Sequence, residues 1–482
     1  MGARWEALLL VLLVASWAVA VVSGYDEQRE GEEAGGEEFG HHHRGGGEQK
    51  AGLFILEKSK QVVKTEAGGG RGVKGFRGRG SPSPMHIGFV SMEPNSLLIP
   101  QYMDASLILF VRRGEAKVGW IYKDRLVERQ LKMGDIYRIS AGSTYYIVNT
   151  GKAQRLQMIC SIDTSESLGS DVFQSFFIGG GSNPTPVLAG FDTHTLTNAF
   201  NVTSDVLNSI MKQGRGPIVY MKGDAAEQAR RLPSTLLPSK KNPTHEEDGD
   251  KEVKTWSWRK LLDLFVWKEA EEDHHRSSSI NSNVDSPNPY NLFDRNPDFK
   301  NDYGWSLALD EGEYPPLRHS GVGVYLVNLT AGAMMAPHVN PSAAEFGVVL
   351  SGEGRVQVVF PNGSSAMDAE VKAGDAFWVP RYFPFCQVAS RGGPMEFFGF
   401  TTSARRNRPQ FLVGASSVLR TMMGPELAAA FGTSEERLRK VVELQKESAI
   451  LPAWPRPAKG EEEQEKKEKG EGESLLFGRA TA

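Results

Sequence analysis

In the stretch GAMMAPHVNPSAAEFGVVLSG, residues 332–352, two glycines bracket a pair of apolar runs, with His338, Asn340 and Glu345 set between them. Side chains of an extended strand alternate between its faces, so His338 and Asn340, two apart, point the same way. The neighbouring runs GRVQVVF, AFWVP and MEFFGFTT are short, rich in β-branched and aromatic residues, and separated by glycine turns. That pattern predicts an antiparallel barrel or sandwich over residues 320–402 rather than a parallel sheet with covering helices.

Residues 86–178 repeat the design, with runs such as SLLIPQYMDASLILFV, AKVGWIY and YRISAGSTYYIVN. Gly114 is followed twenty residues later by Gly134-Asp135, and Gly352 twenty-two residues later by Gly374-Asp375. Each segment ends in a similar tail, VLAGFDTHTLTNAFNVTSDVLNSIM in the first and FLVGASSVLRTMMGPELAAAFGTSEERLRKVV in the second. In each tail a serine followed by an acidic residue opens a helix. Thr433 and Glu436 have capping-box spacing, and Leu438, Val441 and Val442 follow at helical intervals. One unit, a jelly-roll barrel followed by a helical arm, therefore occurs twice in a mainly β chain.

The set Gly332, His338, Asn340, Glu345 and Gly352 resembles the first cupin motif, with Asn340 where the second histidine of His-x-His belongs. Gly374-Asp375 and Pro380 resemble the start of the second motif, whose glycine position falls on Tyr382 and whose histidine position falls on Phe385. Catalytic cupins hold a transition metal with three imidazoles and a carboxylate. Of those four positions only His338 and Glu345 keep a suitable side chain, too few to hold a divalent metal for catalysis. In the first barrel the positions fall on Pro100, Tyr102, Leu107 and Tyr145, so no metal site is expected there, and no cofactor anywhere. The thiol of Cys386, next to Phe385, is expected to face away from the pocket.

Two such barrels, with LIPQYMDAS in the first, PYNLF at the entry to the second, and MMAPHVN and PRYFPFCQVASRGGPMEFFGFTTSA within it, resemble the vicilin family of seed storage globulins over residues 51–456. The resemblance implies a trimer, passage through the secretory route and deposition in storage vacuoles. It implies a nutrient reservoir rather than an enzyme. Two other functions remain open on the residues: a binding protein using Tyr102, Tyr145, His338 and Phe385 to line barrel pockets, and a metal-dependent enzyme of germin type. The missing histidines count against the second, and small barrels are usually filled by their own side chains.

The remaining sequence sets the frame. With 482 residues, two large domains are natural, and 55 basic against 59 acidic residues imply no basic face for nucleic acid. Residues 1–24 read as a signal peptide, with Arg4 ahead of a short apolar run and small residues at its exit. No later apolar run is long enough for a transmembrane helix, so no membrane association is expected once the signal is removed. Residues 25–50, with Glu clusters and His41-His42-His43, lack the apolar content to order themselves. The first barrel and arm are placed at 51–224, a polar linker at 225–288 with an amphipathic WSWRKLLDLFVWKEA, the second barrel and arm at 289–456, and a charged tail at 457–482. Only Cys160 and Cys386 are present, one per barrel, which excludes a disulfide scaffold. Sequons place N-glycosylation at Asn201 and Asn362, with Asn328 disfavoured inside an apparent strand. Apolar residues on the arms, Val206, Leu207, Ile210 and Met211 in the first and Leu438, Val441, Val442 and Leu444 in the second, point to a homotrimer built through them.

Overall fold

The computed structural model describes residues 54–56, 59–73, 85–168, 173–211, 214–223, 227 and 286–453. The expected signal peptide at 1–24, the segment at 25–50, the amphipathic stretch of the linker and the tail at 457–482 lie outside the described residues. No helix among the described residues is long and apolar enough to cross a membrane.

The fold is two β-barrels, each closed by two antiparallel sheets. In the first barrel one sheet runs in the order Lys60–Thr65, Gly68–Val73, Met85–Met92, Leu156–Asp163, Ser106–Arg113, Asp135–Ile139. Its partner sheet runs Ser175–Phe177, Ser96–Met103, Tyr145–Asn149, Ala116–Tyr122, Arg125–Leu131. The second barrel repeats this connectivity. One sheet holds Phe299–Asn301, Gly304–Leu309, Gly323–Leu329, Met395–Thr401, Glu345–Ser351 and Ala376–Val379. The other holds Ser365–Lys372, Glu353–Val359, Phe385–Ala389, Met334–Val339 and Gln410–Phe411.

The Gly-Asp pairs read from the sequence are the same turn twice. Gly134 and Gly374 sit at φ 92° and 96°, where a Cβ would be strained. The carboxylates of Asp135 and Asp375 accept from the backbone N–H of Lys132 and Lys372 at 2.7 and 2.9 Å. Gly352 is required for a second reason: a Cβ there would lie 1.9 Å from the carbonyl oxygen of Pro394.

The barrels are interlocked. Tyr290–Asn291, which leads into the second barrel, pairs with Asp135–Ile139 of the first. Conversely, Ile55 bridges Phe377 of the second barrel, flanked by hydrogen bonds from Leu56 N–H to Ala376 and from Trp378 N–H to Phe54. Each entry segment thus extends the other barrel's sheet. The two facing sheets share one apolar layer in which Ile87, Ile108, Phe110, Ile136 and Ile159 meet Phe398, Phe400 and their neighbours. Phe110 and Phe398 stack across it with centroids 4.0 Å apart and planes 9° from parallel. Arg112 donates across the same boundary to the Leu350 carbonyl.

Both arms are helical. Thr193–Phe200 is capped by Asp192 and followed by Ser204–Met211; Pro425–Ala430 is followed by Glu435–Val442. The cap of the last helix is Ser434, whose side chain accepts from Arg437 N–H at 3.3 Å, not Thr433, whose capping-box spacing with Glu436 is one residue out of phase. The apolar residues also divide. Leu207 and Leu438 are buried within their own arms, whereas Val206, Ile210, Val441 and Leu444 are exposed, the last at 75 %. Cys160 and Cys386 are separate, buried free thiols, pushed up to about 12 and about 11 by burial.

Candidate functional site

The strand Met334–Val339 carries His338 into the second barrel, and Phe385–Ala389 lies beside it with Phe385 directly opposite His338. The imidazole rests against the rings of Phe385 and Phe411, at 4.0 and 5.3 Å between centroids. Its Nδ1 lies 2.7 Å from the carbonyl oxygen of Ala336. A carbonyl only accepts, so Nδ1 carries the proton and Nε2 presents a lone pair. Burial pushes the imidazole down to about 4, which keeps it neutral.

Asn340 does not take the place of a histidine. Its Oδ1 accepts from the backbone N–H groups of Ser342 and Ala343, both at 3.0 Å, and so shapes the turn into the next strand. Its Nδ2 donates to Glu345 Oε1 at 2.9 Å. Burial raises Glu345 to about 7, an effect only partly offset by that hydrogen bond. Tyr382, at the cupin glycine position, is held at φ 76°, and its N–H donates to the Asn340 carbonyl at 3.1 Å. Gln387, two residues beyond Phe385, was not singled out from the sequence; it is 2 % exposed and its Oε1 has no partner among the described residues. His338, Asn340, Glu345 and Gln387 line a cavity of about 950 Å³ together with Tyr325, Phe397, Phe411 and residues 405–409.

In the first barrel the sequence register is corrected by one residue. Tyr145 pairs with Gln101 as Phe385 pairs with His338, so Gln101 and Met103, not Pro100 and Tyr102, occupy the ligand positions. Gln101 Nε2 donates to the Tyr145 hydroxyl at 3.2 Å, and that hydroxyl points at Met103 Sδ, also at 3.2 Å. Tyr102 instead stacks on Phe176 at 4.8 Å, so it lines no barrel pocket. The connection from Met103 to Leu107 is one residue shorter than that from Asn340 to Glu345. Counting back from Gly114 through it loses the phase, and a one-residue slip turns every side chain to the opposite face. The Leu107 position itself stands: it pairs with Ile139 as Glu345 pairs with Val379. Around these residues Leu109, Val118, Trp120, Tyr137 and Ile147 fill the barrel.

A cupin metal does not fit either interior. The first barrel offers an amide, a phenol, a thioether and an aliphatic chain. The second offers one imidazole nitrogen and one carboxyl group already bonded to Asn340. Among the described residues no three His, Cys, Asp or Glu side chains are grouped to hold a metal ion.

The two buried groups set opposite pH dependences. His338, lowered from 6.5 to about 4, stabilises the fold above pH 6.5, and this is lost as pH falls through 4, because the unfolded chain binds the extra proton. Glu345, raised from 4.5 to about 7, stabilises below pH 4.5, and this is lost as pH rises through 7, because the folded chain binds the extra proton. Each is worth on the order of 3 kcal/mol. Between about pH 4.5 and 6.5 their slopes oppose, so this pair leaves stability nearly flat. Glu345→Gln is expected to leave His338 unopposed, giving stability that climbs with pH across that window. Denaturant titrations of both proteins at several pH values check this, and identical pH profiles would contradict it.

The cupin family profile matches residues 84–207 and 290–439. A vicilin-like seed storage protein of Arabidopsis thaliana is 51 % identical over 420 residues, covering 84 % of this chain and 81 % of the relative. A second from the same plant is 30 % identical, covering 81 % of this chain and 73 % of the relative. Among solved structures, vicilin from Solanum melongena superposes with a TM-score of 0.67 at 19 % identity, over 84 % of this chain and 98 % of that one. Hazelnut vicilin (Corylus avellana) gives 0.66 at 20 %, over 84 % and 99 %.

Proposed function

Because this chain belongs to the cupin family, among its vicilin-like seed storage proteins, we propose that its role is to be accumulated in the seed and later consumed. It is a seed storage globulin, a nutrient reservoir, and not an enzyme. One observation carries the chemical half of that reading: the interior positions that would hold a catalytic metal are occupied by Gln101, Met103, Leu107 and Tyr145 in one barrel and by Asn340 and Phe385 in the other. What remains, His338 and Glu345, is tied into hydrogen bonds that support the fold. Elemental analysis of the purified native protein is expected to give well under one manganese, zinc, copper or iron per chain. One tightly held metal that is lost in His338→Ala would overturn this.

The storage role goes with a route through the secretory pathway, removal of residues 1–24 and deposition in a vacuole. Glycosylation follows the same route, and the sequons differ in access. Asn362 lies exposed in a turn, its Oδ1 accepting from Ser364 N–H at 3.0 Å, and Asn201 is exposed at the end of a helix. Asn328 lies within the strand Gly323–Leu329 and hydrogen-bonds Glu396. Asn201 and Asn362 are therefore expected to carry glycan and Asn328 none. Peptide mass mapping before and after glycosidase tests this, with glycan at Asn328 alone as the contrary result.

The assembly we propose is a homotrimer formed through the helical arms. Phe200, Val206 and Ile210 on the first arm and Phe431, Val441 and Leu444 on the second are exposed apolar residues that a single chain leaves uncovered. Since the unit occurs twice, arm one of one copy can meet arm two of the next, and a head-to-tail contact closes into a ring.

A further inference from the structure

One loop of the second barrel is fastened at its start and open beyond it. Residues 402–409, TSARRNRP, join the strand Met395–Thr401 to Gln410–Phe411. Thr402 N–H donates to the Ala344 carbonyl at 3.0 Å, and the Ala404 carbonyl accepts from Glu311 N–H at 2.8 Å. Asn407 Nδ2 reaches back to Thr401 and Ser403. Among the described residues the backbone of 405–409 makes no hydrogen bond, and Arg405, Arg406, Arg408 and Pro409 are exposed. The acidic side chains beside the loop, Asp298, Glu311 and Glu313, pair with Arg295 and Arg318. That leaves Arg405 and Arg406 without an ion pair among the described residues.

Two other exposed basic turns of this barrel are closed instead. Beside Arg381, Tyr382 N–H donates to the Asn340 carbonyl, and the Arg381 guanidinium lies over the Tyr382 ring. Beside Lys446, Glu447 N–H donates to the Gln445 side chain and the Glu447 carbonyl accepts from Ala415 N–H. The matching loop of the first barrel, residues 164–174, contains neither Lys nor Arg. Folded chains are cut where the backbone is exposed and can be drawn out without breaking its hydrogen bonds. Residues 405–409 meet that condition. Their arginines select an endopeptidase whose pocket offers a carboxylate to a guanidinium.

We propose that Arg405-Arg406-Asn407 is the site at which a trypsin-like endopeptidase first opens the second barrel, and that this cut starts the mobilisation of the chain, a use that rests on the reserve reading above. Water adds across the C–N bond after Arg405 or Arg406, leaving a carboxylate on that arginine and an ammonium group on the next residue. Arg408 is spared, because the Pro409 ring fixes the backbone and removes the N–H. Beyond the cut, the chain stays on the barrel through two short pairings with Met334–Val339. Gln410–Phe411 lies against Val339 and His338, and Ile450–Leu451 against Met335 and Met334. While the chain is continuous, an opened arm rebinds because its tether keeps it close. After the cut that tether is gone, and each opening leaves Met334–Val339 as a bare sheet edge for further digestion.

Limited digestion of the full-length native protein with trypsin, followed by mass spectrometry of the fragments, tests this. Within residues 286–453 the earliest new N-terminus is expected at Arg406 or Asn407. The double variant Arg405→Gln, Arg406→Gln changes only exposed side chains. Its second-barrel fragment is expected to persist at least about tenfold longer, since the protease pocket loses its charged partner. A glutamate-specific endopeptidase, for which residues 402–409 hold no target, should digest both proteins at one rate and so show that the variant is folded. A first tryptic cut elsewhere within 286–453, or equal lifetimes of the fragment in trypsin, would overturn the proposal. An uncut loop leaves the reserve reading intact, whereas a chain that does not accumulate in the seed sinks that reading and leaves the cut site standing.

Discussion

Val441→Lys combined with Leu444→Lys is expected to turn the native protein from a species of three chain masses into one of a single chain mass, 52.9 kDa before processing. Both side chains are exposed, at 62 and 75 %, on or just after the helix Glu435–Val442. Charges placed in an apolar contact must lose their hydration without gaining a partner, which costs several kcal/mol per buried charge. The barrels should stay folded, because both substituted side chains are exposed, with an unchanged far-ultraviolet circular dichroism spectrum. Leu438 is the wrong residue for this test despite its helical spacing with Val441, because it is buried inside the arm and its replacement would unfold the helix itself. Light scattering that finds the double variant still at three chain masses would show that the arms are not the contact.

Phe398→Ala is expected to destabilise the whole chain by about 3–5 kcal/mol, the range for emptying a fully buried aromatic site. Phe398 is wholly buried and stacks on Phe110 of the other barrel, in the one apolar layer the two share. The loss should therefore appear in the unfolding of both barrels at once. The reciprocal strands support this: Tyr290–Asn291 completes a sheet of the first barrel, and Phe54–Leu56 lies along a sheet of the second. Denaturant unfolding followed by the tryptophans of both barrels should give a single transition in the native protein and in Phe398→Ala, shifted to lower denaturant in the variant. Two transitions, with only one of them shifted, would mean that the barrels are thermodynamically separate.

Much of this fold was legible because its decisive residues act locally. Gly352 and the two Gly-Asp turns are demanded by backbone geometry a few residues wide, and alternation along Met334–Val339 placed His338 inside the barrel from sequence alone. What the sequence hid depends on partners far along the chain. Gln101 and Met103 were missed because the shortened turn before Leu107 shifts the strand by one residue, a change visible only once Gln101 is seen opposite Tyr145. The pairing of Tyr290 with Ile136 leaves no local mark, since a two-residue strand has no period to read. The role of Asn340 also needed coordinates: in the motif it is a lost ligand, but in the fold it closes a turn with one side of its amide and bonds Glu345 with the other. Gln387 had a signal that went unread, because it lies two residues beyond Phe385 on the same strand and so faces the same interior.

As a reserve that does no chemistry, the chain should rise and fall with the nitrogen store of the seed. The most direct measurement is its absolute abundance, by quantitative mass spectrometry, through seed maturation and the first days of germination. A seed storage globulin should climb to a major fraction of total seed protein late in maturation and fall steeply as the seedling mobilises its nitrogen. A level that stays low and constant through both stages would contradict it.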